Sequence, residues 1–265
     1  MFYVVYDKRF GSLVRAEDKR TRPTDPRWEK LRFIERLDVP MKLVEVEKDI
    51  PKDAKVVWFA LPDPQPFWVM KQYDMWYRRN KFVHVINHPL KTYRTKQLWF
   101  YFLNSNGVRA PYPTQGKSLF NKTEFHSYGP EFACEYVNTI GQNPTDSTDI
   151  PDSSKHHKVW RLVYSVGKVG EQCARLEGAQ FWVGTGCADY VKEMRPTPPK
   201  YKEIAERVAK VSGLEYFQIE IIPSPWVGPV VCDVNPHSFD VMEGLLNNTV
   251  QEHTESAIRG WLDES

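Results

Sequence analysis

LEYFQIEIIPSPWVGPVVCDVNPHSFD, residues 214–240, is the stretch of sequence that decides the fold. It contains two runs rich in β-branched and aromatic residues, 216–222 and 230–234, separated by three prolines and a glycine. Runs of this kind around a Pro- and Gly-containing connection predict an antiparallel hairpin with a long loop.

Each of the two predicted strands carries an acid among apolar neighbours, Glu220 in the first and Asp233 in the second, and Asn235 follows the second. A carboxylate inside an apolar strand is costly to bury unless it is paired or binds a cation. Two carboxylates and an amide oxygen are hard oxygen ligands that suit Mg²⁺. The alternative is that both acids lie on solvent-exposed faces of ordinary strands.

The order of these features resembles the closing half of the ATP-grasp fold: a helix, Gly-Leu, a strand with an acid, a turn, and a strand ending in acid-x-Asn-Pro. In the carboxylate–amine ligases of that superfamily, the two acids and the Asn bind magnesium. The resemblance therefore implies a metal site formed by Glu220, Asp233 and Asn235, with Asp where Glu is commoner. The branch that this chain resembles includes the ribosomal-protein glutamate ligases and the glutathione synthetases.

A second resemblance lies in residues 87–114, NHPLKTYRTKQLWFYFLNSNGVRAPYPT. Several ATP-grasp enzymes join their first domain to the ATP-binding part through a similar order of residues, here Asn87, Lys96, Leu103, Gly107-Val108 and Pro113-Thr114. The resemblance implies that Lys96 contacts the nucleotide. A plain amphipathic helix followed by a proline turn accounts equally well for this segment by itself.

Two further segments match family motifs. The run 132–137, FACEYV, resembles the hinge whose backbone pairs with the adenine, which assigns Glu135, Tyr136 and Val137 to nucleotide binding. The resemblance also assigns Lys158 to the cofactor.

Residues 158–169 alternate as a strand does, and a turn at Val166-Gly167-Lys168 leads to a second strand over 169–175, which predicts a hairpin. Family arginines at matching positions bind phosphate and substrate carboxylate, which makes Arg161 and Arg175 the catalytic candidates, pointing into one cleft. An arginine fork binds such groups in a bidentate manner and stays charged. The alternative for each is a strand arginine that faces solvent.

The chain departs from the family at two places. Only about twenty residues separate Thr114 from Glu135, too few for the whole family lid, so residues 115–131 supply at most a hairpin or an irregular loop. The family lysine of that lid has no counterpart that can be aligned. After Arg175 the chain reads FWVGTG without the family Asn. A ligase of this kind needs cover for the phosphates from the polar loop 141–154 or from a second subunit.

The first ninety residues alternate predicted strands with predicted helices. Strands are expected at 2–6, 41–46, 56–61 and 82–86, and helices from Asp25-Pro26 onward and over 66–80. This order predicts an α/β fold, with an open, partly parallel N-terminal sheet over residues 1–113. Residues 114–265 are predicted to form an ATP-grasp-like domain with an antiparallel sheet and a reduced lid.

Composition limits the possible partners and location. Lys and Arg total 36 against 34 Asp and Glu, which argues against nucleic acid as the main partner. No run approaches the length of a membrane span and the first residues lack the layout of a signal peptide, so we expect a cytoplasmic protein without a membrane partner. His84 and His88 lie about 13 Å apart if spaced along a strand, too far to share a metal.

Three functions follow from these observations. The first is an ATP- and Mg²⁺-dependent ligase that joins a carboxylate and an amine of amino acids or peptides through an acyl phosphate. Such a ligase is compatible with a homo-oligomer. The second is a degenerate ATP-grasp protein that binds a nucleotide or a protein partner without catalysis. In the third, the motifs are coincidental and the aromatic residues between Trp58 and Tyr77 mark a sugar- or peptide-binding protein, although a buried aromatic core is the plainer account of them.

Overall fold

Two sheets of opposite character carry the fold, one parallel and one antiparallel. The computed structural model describes residues 1–6, 32–61, 66–92, 94–112, 119–125, 128–135, 159–177, 190–224, 227–236 and 248–264. In chain order the elements are β1 (Phe2–Tyr6), α1 (Arg32–Glu35), β2 (Met41–Glu45), β3 (Val56–Ala60), α2 (Phe67–Arg79), β4 (His84–Ile86), α3 (Pro89–Thr92), α4 (Lys96–Ser105), β5 (Leu119–Phe125), β6 (Tyr128–Glu135), β7 (Val159–Ser165), β8 (Lys168–Val169), β9 (Gln172–Glu177), β10 (Tyr190–Pro196), α5 (Pro199–Ser212), β11 (Tyr216–Ser224), β12 (Gly228–Asn235) and α6 (Asn248–Asp263).

The N-terminal sheet has the strand order β2-β1-β3-β4, and every pair in it is parallel. Every residue of β3 is buried, as a continuous apolar run in a parallel strand requires. Val56 and Trp58 pack in the core that reaches the second sheet, while Val57 and Phe59 pack with Val69 and other residues of α2. The predicted parallel sheet is confirmed, although β4 begins only at His84.

The second sheet has the order β10-β9-β7-β11-β12, with β8 paired to β7, and all its pairs are antiparallel. The predicted closing hairpin is confirmed by β11 and β12. The long loop predicted between the strands is wrong, because β11 and β12 pair as far as Ser224 and Gly228. α5 ends where the sequence predicted, because Gly213 takes the left-handed conformation at φ 66° and its N–H bonds the Ala209 carbonyl.

A β-bulge in the closing hairpin decides which residues share a face. Near the loop the register pairs Ile221 with Val231, but beyond the bulge Glu220 pairs with Asp233, and Cys232 is the extra residue between them. Without the bulge, Glu220 would lie opposite Cys232 and Asp233 would point to the other face. An insertion of one residue reverses the faces because side chains alternate along a strand with a period of two.

The two sheets meet through buried aromatic side chains. Trp58 of β3 and Tyr216 of β11 have ring centroids 5.4 Å apart, and Phe33 of α1 stacks on Tyr216 at 5.6 Å. All three residues are almost completely buried. A single apolar core therefore continues from the parallel sheet into the antiparallel sheet.

The described residues cover only part of the other predicted elements. Residues 119–135 contain a two-stranded hairpin, β5 with β6, in the segment assigned to a reduced lid. The helix predicted from Asp25-Pro26 onward begins outside the described residues. Within the described residues, the range of this predicted helix contains only α1. No helix in the described part of the chain is long and apolar enough to cross a membrane.

Candidate nucleotide and metal site

A row of charged residues crosses three adjacent strands of the antiparallel sheet. Arg161 of β7 pairs with Glu220 of β11, and Glu220 pairs with Asp233 of β12. Residues directly opposite one another in an antiparallel pair project to the same face, with Cβ atoms about 5 Å apart. All three are buried, with relative exposures of 7%, 7% and 4%.

Asn235 lies on the same face, two residues beyond Asp233 and opposite Gln218. The hairpin therefore presents two carboxylates and one side-chain amide on one face, as the metal assignment of Glu220, Asp233 and Asn235 requires. This donor set fits Mg²⁺, which prefers oxygen ligands and retains several waters. Within the described ranges no group of three or more His, Cys, Asp and Glu could hold a metal, so a cation here depends on the amide oxygen.

Each of the two carboxylates has a basic partner. Lys96 Nζ lies 2.9 Å from Asp233 Oδ2, and Arg161 Nη2 lies 2.5 Å from Glu220 Oε1. The side chains of all four residues are at most 14% exposed. Buried charges of this kind are stable only when they are paired, and here two acids and two bases balance.

Lys96 reaches the sheet from the first turn of α4. The helix starts there because Thr95 is its N-cap residue and its side-chain oxygen accepts a hydrogen bond from the Leu98 N–H. Trp99, Phe100 and Leu103 bury the inner side of the helix. This packing holds the Lys96 side chain over β12.

Asn87 fixes the ends of both hairpin strands, a role that the sequence did not reveal. Its Nδ2 donates to the carbonyl oxygens of Tyr216 and Pro236 at 2.7 and 2.9 Å, and its Oδ1 accepts from the Tyr216 N–H at 3.0 Å. Asn87 is fully buried with a φ of 55°, a conformation that Asn tolerates better than most residues. Because Pro236 directly follows Asn235, Asn87 positions the end of the candidate metal site.

Solved structures resemble this chain along nearly its whole length. PsnB complexed with precursor peptide PsnA2 and AMPPNP aligns with a TM-score of 0.56 at 14% identity, over 98% of this chain and 97% of PsnB. The D-cycloserine synthetase DcsG gives 0.51 at 10% identity, over 99% and 100% of the two chains. The macrocyclase MdnC bound with precursor peptide MdnA from Microcystis aeruginosa gives 0.52 at 12% identity, over 98% and 100%.

The chain has the ATP-grasp fold. No protein-family model and no curated protein matches its sequence. At identities of 10–14%, these similarities concern the fold alone.

Within this ATP-grasp fold, Arg175 does not lie with Arg161. Their strands pair so that Arg161 faces Ala174, while Arg175 faces Trp160 on the opposite side of the sheet. There the Arg175 Nε lies 3.4 Å from Glu193 Oε2. The expectation that both arginines point into one cleft is wrong.

The turn between β7 and β8 explains this correction. The sequence suggested a turn of three residues, Val166-Gly167-Lys168, but Ser165 pairs with Lys168 and only two residues form the turn. Val166 and Gly167 both have positive φ, 47° and 89°, as a type I′ turn requires. With a two-residue turn, two odd-numbered positions on β7 and β8 face opposite sides. The register of β9 on β7 is shifted by two residues, an even number, which preserves this relation for Arg161 and Arg175.

The remaining nucleotide candidates lie at the limits of the described chain. Glu135 is the last residue of β6, where its backbone pairs with Leu119. Tyr136, Val137, Lys158 and the loop 141–154 lie outside the described residues.

The two histidines considered for a metal have other contacts. His84 Nε2 lies 2.9 Å from Glu264 Oε2, and its ring stacks on Trp261. His88 is buried, and its Nδ1 accepts a hydrogen bond from the Leu90 N–H. Burial lowers the pKa of His88 to about 4.

Proposed function

We propose that this chain is an ATP- and Mg²⁺-dependent ligase that joins a carboxylate to an amine through an acyl phosphate. The buried row formed by Lys96, Asp233, Glu220 and Arg161 carries this proposal, since it gathers two acids and two bases on one face of an ATP-grasp sheet. Similarity to solved ATP-grasp ligases supports the reaction class.

In the proposed reaction, the terminal phosphoryl group of ATP passes to a carboxylate oxygen, and ADP leaves. The neutral amine then attacks the acyl carbon and inorganic phosphate departs with the bonding electron pair. The nitrogen loses one proton to water, and the amide forms. When bound, Mg²⁺ would neutralise the charge on the phosphate oxygens during transfer.

The residues of this chain would bind and orient the reactants. Glu220, Asp233 and Asn235 would hold the cation, while Lys96 and Arg161 would exchange their carboxylate partners for phosphate oxygens. Their burial favours this role, because charged contacts are stronger where water is excluded. Asn87 would keep the end of the hairpin in place.

The proposed substrate class is peptides. PsnB and MdnC were solved with precursor peptides, and both align with this chain over at least 97% of each length. The proposal includes cover for the phosphates from residues 141–154 or from a second subunit.

A thermal-shift titration with ATP, in the presence and absence of Mg²⁺, tests nucleotide binding, because a ligand that binds the native state raises the melting temperature. We expect an Mg²⁺-dependent shift in the native chain and its loss in Asp233→Asn. Asp74→Asn is the matched control, since Asp74 pairs with Arg78 on α2, away from the charged row. An equal shift in all three proteins would contradict the metal assignment.

A non-catalytic nucleotide-binding protein is the second candidate function. It is favoured by the small size of the lid segment, in which residues 119–135 contain only one hairpin within the described chain. The test is ADP release from ATP with mixed amino acids and peptides. Nucleotide binding without ADP release would select this second function.

A further inference from the structure

The solvent-facing side of α2 carries large apolar residues. The helix buries Val69, Met70 and Tyr73, of which Val69 and Tyr73 pack with the residues of the parallel sheet. On the opposite side, Phe67 is 69% exposed, Trp68 is 55% exposed and Met75 is 44% exposed. A helix that packs on a sheet by one face ordinarily has polar residues on the other. The exposed apolar residues of α2 therefore indicate a binding surface.

Basic residues share that side of the helix. Lys71 and Arg78 fall on the same helical stripe as Phe67 and Met75, at intervals of three or four residues, and Arg79 lies beside them. We name these residues the α2 outer face: Phe67, Trp68, Lys71, Met75, Arg78 and Arg79.

The α2 outer face has a net positive charge. Lys71, Arg78 and Arg79 contribute three positive charges, and the one acid of α2, Asp74, contributes one negative charge, which leaves two positive charges in excess. Asp74 is moreover bound to Arg78 at 2.8 Å. A partner with apolar side chains and several carboxylates would complement this surface.

We propose that the α2 outer face binds an acidic amphipathic segment of the peptide substrate, at a distance from the reacting groups. This inference rests on the proposed ligase function for the identity of the partner. Apolar side chains of the segment would pack on Phe67, Trp68 and Met75, and its carboxylates would pair with Lys71 and Arg79. An amphipathic helix recognised in this way presents anchors at intervals of three and four residues.

The position of the α2 outer face separates recognition from chemistry. α2 packs on the side of the parallel sheet that carries Val57 and Phe59, whereas Trp58 faces Tyr216 of the antiparallel sheet. Tyr216 and Glu220 share one face of β11, so the charged row lies on the far side of the parallel sheet from α2. A linker between the docked segment and the reacting residue has to pass around the edge of the parallel sheet, so we expect it to be longer than the roughly ten extended residues that match the thickness of these layers.

Two other partners fit the surface less well. A symmetric contact with a second copy would place this face against itself and bring like charges together. An interfacial membrane helix buries a continuous apolar face, whereas Lys71 and Arg78 interrupt the apolar stripe of α2.

Fluorescence anisotropy with the full chain tests this inference. The probe is a labelled peptide of about 16 residues, long enough for a marginal helix, with Leu and Phe at helical spacing and Glu on the flanks. A scrambled peptide of the same composition is its control. We expect Phe67→Ser/Trp68→Ser to weaken binding of the probe at least tenfold, and Lys71→Glu to weaken it and reduce its salt dependence.

The matched control variant is Leu43→Ser, because Leu43 is 52% exposed on β2, outside the α2 outer face. It should bind the probe as the native chain does. Equal binding of the scrambled peptide, equal binding by Phe67→Ser/Trp68→Ser, or no binding up to about 1 mM probe would overturn the inference. Sedimentation with anionic phosphatidylserine vesicles, or a dimer in light scattering, that is lost in Phe67→Ser/Trp68→Ser would overturn it in favour of a membrane or a second copy.

The same variants separate this inference from the ligase proposal. Phe67→Ser/Trp68→Ser should keep the Mg²⁺-dependent thermal shift with ATP, and Asp233→Asn should keep binding of the probe peptide. No ATP shift in the native chain, together with binding of the probe peptide at the α2 outer face, would remove the ligase proposal and leave this face as a peptide-binding surface whose partner is not a ligase substrate. If the ATP shift is intact and Phe67→Ser/Trp68→Ser binds the probe peptide as the native chain does, this inference alone is removed.

Discussion

Both sheets bury apolar side chains, but among the described residues the antiparallel sheet also buries a row of charged ones. In the parallel sheet, all of β1 and β3 is apolar apart from tyrosine hydroxyls and one indole N–H, and nearly all of it is buried. In the antiparallel sheet, Arg161, Glu220 and Asp233 are equally buried but charged. Apolar burial stabilises a fold, whereas replacing a buried ion pair by apolar residues is often neutral or stabilising, so burial of the charged row is weak evidence that it serves stability.

The largest loss of stability is expected in the parallel sheet. Trp58 is fully buried and contacts both Phe33 and Tyr216 where the sheets meet. We expect Trp58→Ala to lower the free energy of unfolding by about 4 kcal/mol, through lost burial and the cavity left behind. Urea denaturation measures it. Trp68→Ala, at a tryptophan 55% exposed, should change stability by less than about 0.5 kcal/mol, and similar losses in both would refute the contrast.

The charged row should respond differently to single and double substitutions. Arg161→Met or Glu220→Leu alone breaks this ion pair and leaves one of its two charges buried without the other, and we expect each to lower the free energy of unfolding by about 3 kcal/mol. The double variant Arg161→Met/Glu220→Leu should be more stable than either single variant, because it buries no unpaired charge from this pair. Urea denaturation of all four proteins completes the cycle.

The double variant sharpens the comparison between the sheets. It should lose the Mg²⁺-dependent thermal shift with ATP while keeping its stability. If the two single losses simply add in the double variant, the pair stabilises the fold as apolar contacts do, and the distinction between the sheets fails.

Acidic pH should lower the free energy of unfolding through His88, a buried group on the parallel-sheet side of the molecule. His88 contacts the rings of Phe59 and Tyr77. Burial is the main cause of its lowered pKa, and the charged groups that act on it are Asp74, Lys91 and Arg78.

The pKa of His88 is about 4 in the folded chain and about 6.5 when unfolded. Between these values the unfolded chain binds a proton that the folded chain does not, so stability falls as the pH falls. From pH 6.5 to pH 5 the His88 contribution lost is about 2 kcal/mol. His88→Gln should flatten the pH dependence of the urea midpoint over this window. Equal slopes in the native chain and His88→Gln would exclude this role.

Patterns along the chain predicted the elements better than the faces of the strands. Continuous apolar runs predicted β1 and β3, and proline and glycine around residues 223–229 predicted the closing hairpin. The bulge at Cys232 has no signal in the sequence, yet it places Asp233 beside Glu220. That Glu220 and Asp233 lie close together was predicted from the resemblance to the family motif. The motif gives the positions of the two acids but contains no signal of the bulge itself.

The opposite error concerns Arg175, whose face the sequence predicted wrongly. Whether two residues on paired strands share a face depends on whether the turn between them has an even or an odd number of residues. A valine before glycine is an unusual start for a type I′ turn, which prefers Asn-Gly or Asp-Gly, so the sequence favoured the longer turn. The contact that stabilises this geometry, from the Val166 N–H to the Glu215 carbonyl, comes from a residue far along the chain.

The smallest effect is expected from Arg175, which tests whether the two faces of the antiparallel sheet are functionally distinct. Its side chain is 24% exposed and pairs with Glu193, whose side chain is 46% exposed, so the pair contributes less than about 1 kcal/mol. Arg175→Gln should leave both the urea midpoint and the Mg²⁺-dependent ATP shift close to those of the native chain. Arg161→Gln, the same change on the opposite face, should abolish the ATP shift. If Arg175→Gln abolished the shift as well, Arg175 would reach the nucleotide in the bound state, and the face assigned to it by the register would not decide its function.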